Sequence, residues 1–438
     1  MFARQVDLSC GAAAHLNRRT LLKVFGAGAG TWLTSVSELL ARDQETQPKG
    51  KPPKSVIVLW LAGGPSQLET FDPHSSSLIG GETKAIKTAA AEIVVGSALE
   101  QTAEVMDSVA ICRSVTSKEG DHERATYNAK TGFRPDPTLV HPAIGAVLCH
   151  QQPDNLEIPR HISILPDQWA ARGGYLGDHY DAFKIYDPAS RIPDVMARVD
   201  PQRFKDRLED LTLVESVFSR RRFKNLDAQK TLHYEAMVAA ERMMSSEQLK
   251  AFDISETPQT EREQYGDTSF GRGCLAALRL IESGVRCVEV TLGGWDSHVA
   301  NHTIQMDRTA VLDPAYAALI RGLRTRGLLD STIVICGGEF GRTPQINPAA
   351  GRDHWPYGFS IALAGGGIRG GVVYGETAAE PTLDSKKPLQ DVAQPRDIAD
   401  VHATVLQALG IEFTKELDTP VGRPLAISTG AVIKELLV

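Results

Sequence analysis

Cysteine is scarce in this chain. Six cysteines occur in 438 residues. Those beyond the N-terminal segment (Cys112, Cys149, Cys274, Cys287 and Cys336) are odd in number and show no paired spacing, which argues against a disulfide framework. Cys112, Cys287 and Cys336 fall inside apolar, strand-like runs and read as small core residues. No block of like charge stands out, and the formal charge of −7 argues against a nucleic-acid partner, because phosphate binding needs a basic face. No repeat of solenoid period occurs. Outside the N-terminal segment no apolar run reaches the ~20 residues that a bilayer-crossing helix needs. What remains is a composition of 42% hydrophobic and 23% charged residues, ordinary for a globular protein. The length allows one large α/β domain or two smaller ones.

Residues 1–41 read as a twin-arginine export signal. Asn17-Arg18-Arg19-Thr20-Leu21-Leu22-Lys23 precedes a weakly hydrophobic stretch, Val24 to Leu40, that contains Gly26-Ala27-Gly28-Ala29-Gly30. The competing reading is a chance arginine pair before a short amphipathic helix. Leu39-Leu40-Ala41 is a poor cleavage site, so the leader is either removed or kept as an anchor. Residues 42–54, rich in Lys, Gln and Pro from Gln44 to Lys54, read as a linker. This arrangement implies the twin-arginine translocase as a partner during export, a cofactor loaded before export, and a periplasmic, cell-envelope or secreted location.

Apolar runs set the architecture. Ser55 to Leu61, Val109 to Val115, Arg160 to Leu165, Val285 to Thr291, Thr332 to Cys336 and Phe359 to Leu363 have the length and composition of buried strands. Helical patterns separate them at Phe270 to Ser283 and Pro314 to Gly327, and Ile398 to Leu409 forms a late helix stopped by Gly410. Strands alternating with helices predict an α/β fold, a mostly parallel central sheet with helices on both faces. The charged stretch Pro201 to Glu247 predicts a helical insertion around 200–250 within a single domain, 55–438. Its basic run Arg220-Arg221-Arg222 reads as a solvated surface.

Acids and histidines collect where such a sheet presents its loops. They are Asp121-His122, Asp296-Ser297-His298 with His302, Glu339 after the strand Thr332 to Cys336, and Asp353-His354. A carboxylate at a strand's carboxyl end is costly unless paired or ligating. Glu339 therefore either binds a cation or pairs with Arg342. Arg342 alternatively grips an anion through its planar fork. Asp296 and His298 make a two-ligand unit, or Asp296 caps the next helix. His302 joins that unit if the helix has begun there. Asp353 and His354 supply late ligands or a general acid, or Asp353 bonds its own loop. Asp121 caps a helix, and His122 then points into the cleft as ligand, nucleophile or base. Ser114, Thr116 and Ser117 are the neighbouring hydroxyls. Mixed oxygen and nitrogen donors suit zinc, manganese or iron better than calcium.

Several segments in order carry a family resemblance. They are the paired-arginine leader, Gly63-Gly64-Pro65-Ser66-Gln67-Leu68-Glu69-Thr70-Phe71-Asp72-Pro73, Gly293 to His298, Gly338-Glu339-Phe340-Gly341-Arg342-Thr343-Pro344, and Gly351-Arg352-Asp353-His354-Trp355-Pro356. Together they resemble the DUF1501 family of exported bacterial proteins, related to the sulfatase and alkaline-phosphatase superfamily. The resemblance runs to Gly422-Arg423-Pro424-Leu425 and implies an alkaline-phosphatase-like fold. Arg124 to Gly132 is similar to the sulfatase helix that follows the nucleophile, which puts Asp121 and His122 at the nucleophile's place. Asp400 to Ile411 is similar to the superfamily's ending. Two departures stand out. Leu61-Ala62-Gly63-Gly64 replaces the first-strand acidic pair, for which Glu69 or Asp72 would have to substitute. Glu339-Phe340-Gly341 keeps the acid but not the following histidine.

The resemblance implies a metal-dependent hydrolase of sulfate or phosphate esters. Asp296, His298, Glu339, Asp353 and His354 are then the metal ligands, Asp121 and His122 the catalytic candidates and Arg342 the anion contact. The implied substrate is an anionic ester, such as a sulfated polysaccharide. The alternative is a metal-stabilised binding or assembly protein of the cell envelope without catalysis.

Overall fold

The computed structural model describes residues 55–152, 156–190, 192, 195, 199–222, 232–384 and 386–438. The expected leader (1–41) and linker (42–54) lie outside them. Nine strands form the central sheet. In chain order, six of them are β1 (Ser55–Ala62), β2 (Val109–Thr116), β3 (His161–Ile164), β4 (Phe183–Ile185), β5 (Cys287–Gly293) and β6 (Thr332–Gly337). A two-residue hairpin follows, β7 (Gly341–Arg342) against β8 (His354–Trp355). The last three sheet strands are β9 (Phe359–Ala364), β10 (Val372–Tyr374) and β11 (Arg396–Asp397). The sheet runs β10-β2-β9-β6-β1-β5-β3-β4, with β11 also on β2. All pairings are parallel except those of β9, which lies antiparallel between β2 and β6.

Side chains alternate across a strand, so continuous apolar strands need cover on both faces. Ile57, Leu59 and Leu61 of β1 join one core with Val288, Val290 and Val334, under helices α5 (Ser269–Glu282) and α6 (Asn301–Thr325). Val56 joins the other with Ala110, Ile333 and Ile361, under α2 (Ile144–Gln151) and α7 (Ile398–Ala408). Other helices include α1 (His122–Thr131), α3 (Pro201–Arg222) and α4 (Leu232–Ser245). Cys112, Cys287 and Cys336 are buried strand thiols, and burial pushes Cys112 up to about 11.

Two elements differ from the sequence reading. Helix α6 begins at Asn301, thirteen residues before Pro314, which lies inside it. A proline there removes one hydrogen bond, a cost that the buried face of α6 offsets, with Leu312, Ala315, Tyr316 and Leu319 fully buried. Strand β9 has the apolar pattern of its parallel neighbours, yet runs the other way. The short connection from β8 returns the chain along the edge it has just left.

Candidate metal centre

The parallel strands end at one edge of the sheet, and their loops converge there. Gly63 and Gly64 follow β1, the 117–121 loop follows β2, Gly294 to His298 follows β5, and Gly338 to Phe340 follows β6. The hairpin β7–β8 brings back Asp353 and His354. Close approach demands glycine at two points. Gly63 has φ +117°, and a Cβ on it would lie 2.6 Å from the Asp296 backbone nitrogen. A Cβ on Gly351 would lie 1.8 Å from the His298 carbonyl oxygen. These contacts bring the β1, β5 and hairpin loops into one cluster.

Three imidazoles surround the Asp296 carboxylate. His122 Nε2 is 3.3 Å from Asp296 Oδ2. His298 Nε2 and His354 Nε2 are 3.2 and 3.5 Å from Oδ1, and 3.0 Å from each other. Each ring's other nitrogen has an acceptor. His122 Nδ1 donates to Glu339 Oε1 at 2.7 Å, His298 Nδ1 to Asp353 Oδ1 at 2.8 Å, and His354 Nδ1 to the Gly120 carbonyl at 2.8 Å. That pattern holds the tautomer in which Nε2 carries a lone pair, as metal-binding histidines commonly show. With the rings neutral, three lone pairs face a carboxylate and repel one another, a conflict relieved by a cation among them or by a proton on a ring.

The donor spacing fits such a cation. Tetrahedral zinc with Zn–N near 2.0–2.1 Å places its donors about 3.3 Å apart, close to the contacts that each ring makes with Asp296. Glu339 Oε2 is also buried without a partner, a further acceptor left over in the same place. Among the described residues, His122, Asp296 and His354 form a three-member group whose donor atoms lie within 4.8 Å of one another, and His298 stands outside it, against Asp296 and His354. The side chains of Asp296 and His298 are 46% and 45% exposed, so the cluster opens to solvent.

The surrounding charges tune these groups. The hydrogen bond to Glu339 raises the His122 pKa against partial burial. Burial pushes the Asp296 carboxyl up, but the hydrogen bond and charge of Arg342 outweigh it and hold Asp296 below the ordinary range. Asp353 is held low chiefly by its hydrogen bond from His298. Burial lowers His354 against the bond to Gly120.

The structure brings His122, Asp296, His298 and His354 together and moves other residues back. Glu339 and Asp353, expected as ligands, stand behind the rings as acceptors of Nδ1–H. Glu339 Oε1 also accepts from the Gly63 amide at 2.9 Å. Arg342 does not pair with Glu339. It is fully buried and donates to the carbonyls of Gly63, Gly64 (2.9 Å) and Arg352 (3.1 Å), and to Asp296 Oδ1 (2.7 Å). A guanidinium committed in this way braces Asp296 and has little left for an anion. Asp121 is an exposed cap whose Oδ1 accepts from the Arg124 amide at 3.2 Å, and it bonds to no member of the cluster. His302 lies on α6 facing Thr83 Oγ1 at 3.5 Å.

The substitutes and hydroxyls are also engaged elsewhere. Glu69 pairs with the buried Arg352 at 3.1 Å, and Asp72 accepts from Thr377 Oγ1 at 2.7 Å. Ser114, Thr116 and Ser117 bond to Gln394 O, Arg396 O and Asn128 Oδ1 respectively. None of these three hydroxyls bonds to the cluster.

One supporting group escaped the sequence reading. Lys130, two turns along α1 from His122, is buried and donates to Glu289 Oε1 at 3.0 Å and the Trp169 carbonyl at 2.9 Å. Its ammonium lies 4.9 Å from the Trp60 ring centroid. This buried pair pins α1, and so His122, over β5. The signal available was Glu289 itself, a carboxylate inside the apolar run Val285 to Thr291.

The fold is a mostly parallel α/β sheet that carries an imidazole–carboxylate cluster at its carboxyl edge. The chain belongs to the DUF1501 family, described as a protein of unknown function, whose model matches residues 53–437. Comparison with curated proteins finds no match. Solved structures similar to the chain include PsFucS1 sulfatase from Pseudoalteromonas sp. (12% identity, 86% of this chain and 71% of that one, TM-score 0.38). A protein in the alkaline phosphatase superfamily from Vibrio parahaemolyticus is similar at 11% identity (83% and 68%, TM-score 0.37). So is the C-terminal periplasmic domain of EcEptC from Escherichia coli, in complex with Zn, at 10% identity (89% and 96%, TM-score 0.37).

Proposed function

We propose that this protein is an exported, metal-dependent hydrolase of sulfate or phosphate esters. The observation that carries the reading is the set of three Nε2 atoms around Asp296, each ring held by an acceptor on its far side. His122, Asp296, His298 and His354 would hold a divalent zinc, manganese or iron ion. Bound there, the ion supplies Lewis acidity to an ester oxygen.

The chain's own groups divide the remaining work. Arg342 braces Asp296 from behind, while Glu339, Asp353 and the Gly120 carbonyl fix the ring planes. The solvent-open side formed by Asp296 and His298 admits the ester. With Ser114, Thr116 and Ser117 tied to other partners and Asp121 occupied as a cap, none of these candidate nucleophiles is free at the cluster. Attack by water is therefore the proposed route. Export by the twin-arginine translocase rests on the leader sequence. Among the described residues no helix is long and apolar enough to cross a membrane.

The same engaged hydroxyls, with the missing acidic pair on β1, favour a second reading, a metal-stabilised binding or assembly protein without catalysis. Metal analysis of protein folded in the cytoplasm, together with turnover of aryl sulfate and aryl phosphate, decides between them. Stoichiometric metal with hydrolysis of either ester is expected. Metal without turnover of either, and without a coordination position open to phosphate or sulfate, removes the hydrolase and leaves the second reading. Absence of metal removes both.

A further inference from the structure

Two surface grooves meet beside the cluster. The first is lined by Asp353 of the cluster, Trp355 and Tyr357, with Asn347 and Asp384. The second is lined by Lys118, Lys386 and Lys387, again with Tyr357. Tyr357 and Pro388 belong to both, so the grooves lie side by side. Lys118 is tied to the site by its own loop. The neighbouring Ser117 amide donates to the Pro356 carbonyl at 2.7 Å, and Gly120, two residues on, receives His354 Nδ1–H. All three lysines are exposed, and their ammonium groups make no ion pair among the described residues. Asp397, the acid that lines the second groove, caps α7.

The pair therefore alternates in chemistry. Its first half offers the exposed carboxylates of Asp353 and Asp384, which accept hydrogen bonds from hydroxyls, while Asn347 is held by its own loop and by His298. At the junction stands a half-buried aromatic ring, suited to the apolar face of a sugar. Its far half offers three unpaired cations. A polymer charged at every unit would meet Asp353 and Asp384 in the first half and be repelled. A saccharide with spaced anionic groups fits both halves.

We propose that the two grooves form one binding channel for an oligosaccharide carrying at least two anionic ester groups, one at the imidazole cluster and the second among Lys118, Lys386 and Lys387. The proposal rests on the ester-hydrolase reading for the identity of the first group, and on the groove for the second. It makes Tyr357 the stacking platform and the lysines the determinants of charge spacing.

Titration of the full, metal-loaded chain with oligosaccharides sulfated once per disaccharide and with their unsulfated counterparts tests it. The sulfated probe should bind, and far more tightly than the neutral one. The triple variant Lys118→Ala/Lys386→Ala/Lys387→Ala should weaken it by about tenfold, the scale of three exposed charge contacts, with metal content and thermal unfolding unchanged. Tyr357→Ala should weaken it severalfold and Tyr357→Phe should restore it. The channel is overturned if the sulfated probe does not bind, if the triple variant binds it as the parent does, or if oligothymidylate displaces it at equal affinity. Lysine-dependent binding without turnover of any ester removes the hydrolase reading and keeps the channel. Ester turnover with lysine-independent binding removes the channel alone.

Discussion

His298 Nε2 and His354 Nε2 stand 3.0 Å apart, although each ring already donates its other N–H, to Asp353 and to Gly120. Two neutral rings held this way present lone pair to lone pair. A divalent ion shared with Asp296 resolves the conflict, and so does a proton on one ring. The first resolution makes the site a metal centre.

The double variant Asp296→Ala/His298→Ala should lose the bound metal, measured by elemental analysis after exhaustive dialysis. His302→Ala should keep it, because His302 faces Thr83. Full metal occupancy in the double variant would take this segment out of the site.

Glu339→Gln keeps an oxygen for the Gly63 amide and for His122 Nδ1–H, but loses the charge that raises the His122 pKa. Metal affinity should fall by about 10–100-fold, the usual cost of altering a group that orients a ligand ring, while the unfolding midpoint moves little. Competition with a chromophoric chelator reads the affinity. Complete loss of metal would instead mean that Glu339 is itself a ligand.

Arg342→Met should destabilise the fold by about 3–5 kcal/mol in urea unfolding. The change leaves the carbonyls of Gly63, Gly64 and Arg352 without their donor and Asp296 without its brace. Arg342→Lys should recover little, because an ammonium cannot reproduce the planar fork. A near-neutral Arg342→Met would show that these bonds contribute nothing net.

Stability of the metal-free protein should fall as pH drops below about 6.5. His161 and His402 are buried, and burial depresses the pKa of both. The unfolded chain takes up a proton at each near 6.5, whereas the folded chain resists until the lower folded value. The unfolded state thus binds more protons in that window, and each histidine contributes a slope of about 1.4 kcal/mol per pH unit. His122, whose folded pKa is raised, works in the opposite sense, stabilising at low pH and losing that contribution as pH rises through its folded value. Urea midpoints between pH 5 and 8 measure the net slope. A steeper fall than in His402→Gln identifies the buried ring, and equal slopes in the two proteins would exclude it.

Much of the fold was legible because it is local. The runs at Ser55, Val109 and Thr332 became strands β1, β2 and β6 within a residue or so of the expected ends, since short apolar runs between turn residues have few other places to go. Helix α5 was equally plain, Ser269–Glu282 against an expected Phe270 to Ser283. The first three turns of α6 were not, because Asn301 to Asp313 mixes polar residues with a buried face that only packing reveals. Asp296, His298 and His354 could be nominated from residue type and position after a strand.

The sequence by itself determined which residues could meet, by placing acids and histidines after strands whose carboxyl ends share an edge. Only the tertiary structure decided their roles. Hydrogen-bond allocation is non-local: His122 and Glu339 are 217 positions apart yet joined at 2.7 Å, and no spacing rule foretells that Glu339 turns to a ring nitrogen while Arg342 turns to Asp296. The direction of β9 was likewise hidden, because an apolar strand has the same side-chain alternation in either sense. Partner choice and strand direction follow from the minimum of the whole packed assembly, not from any segment within it.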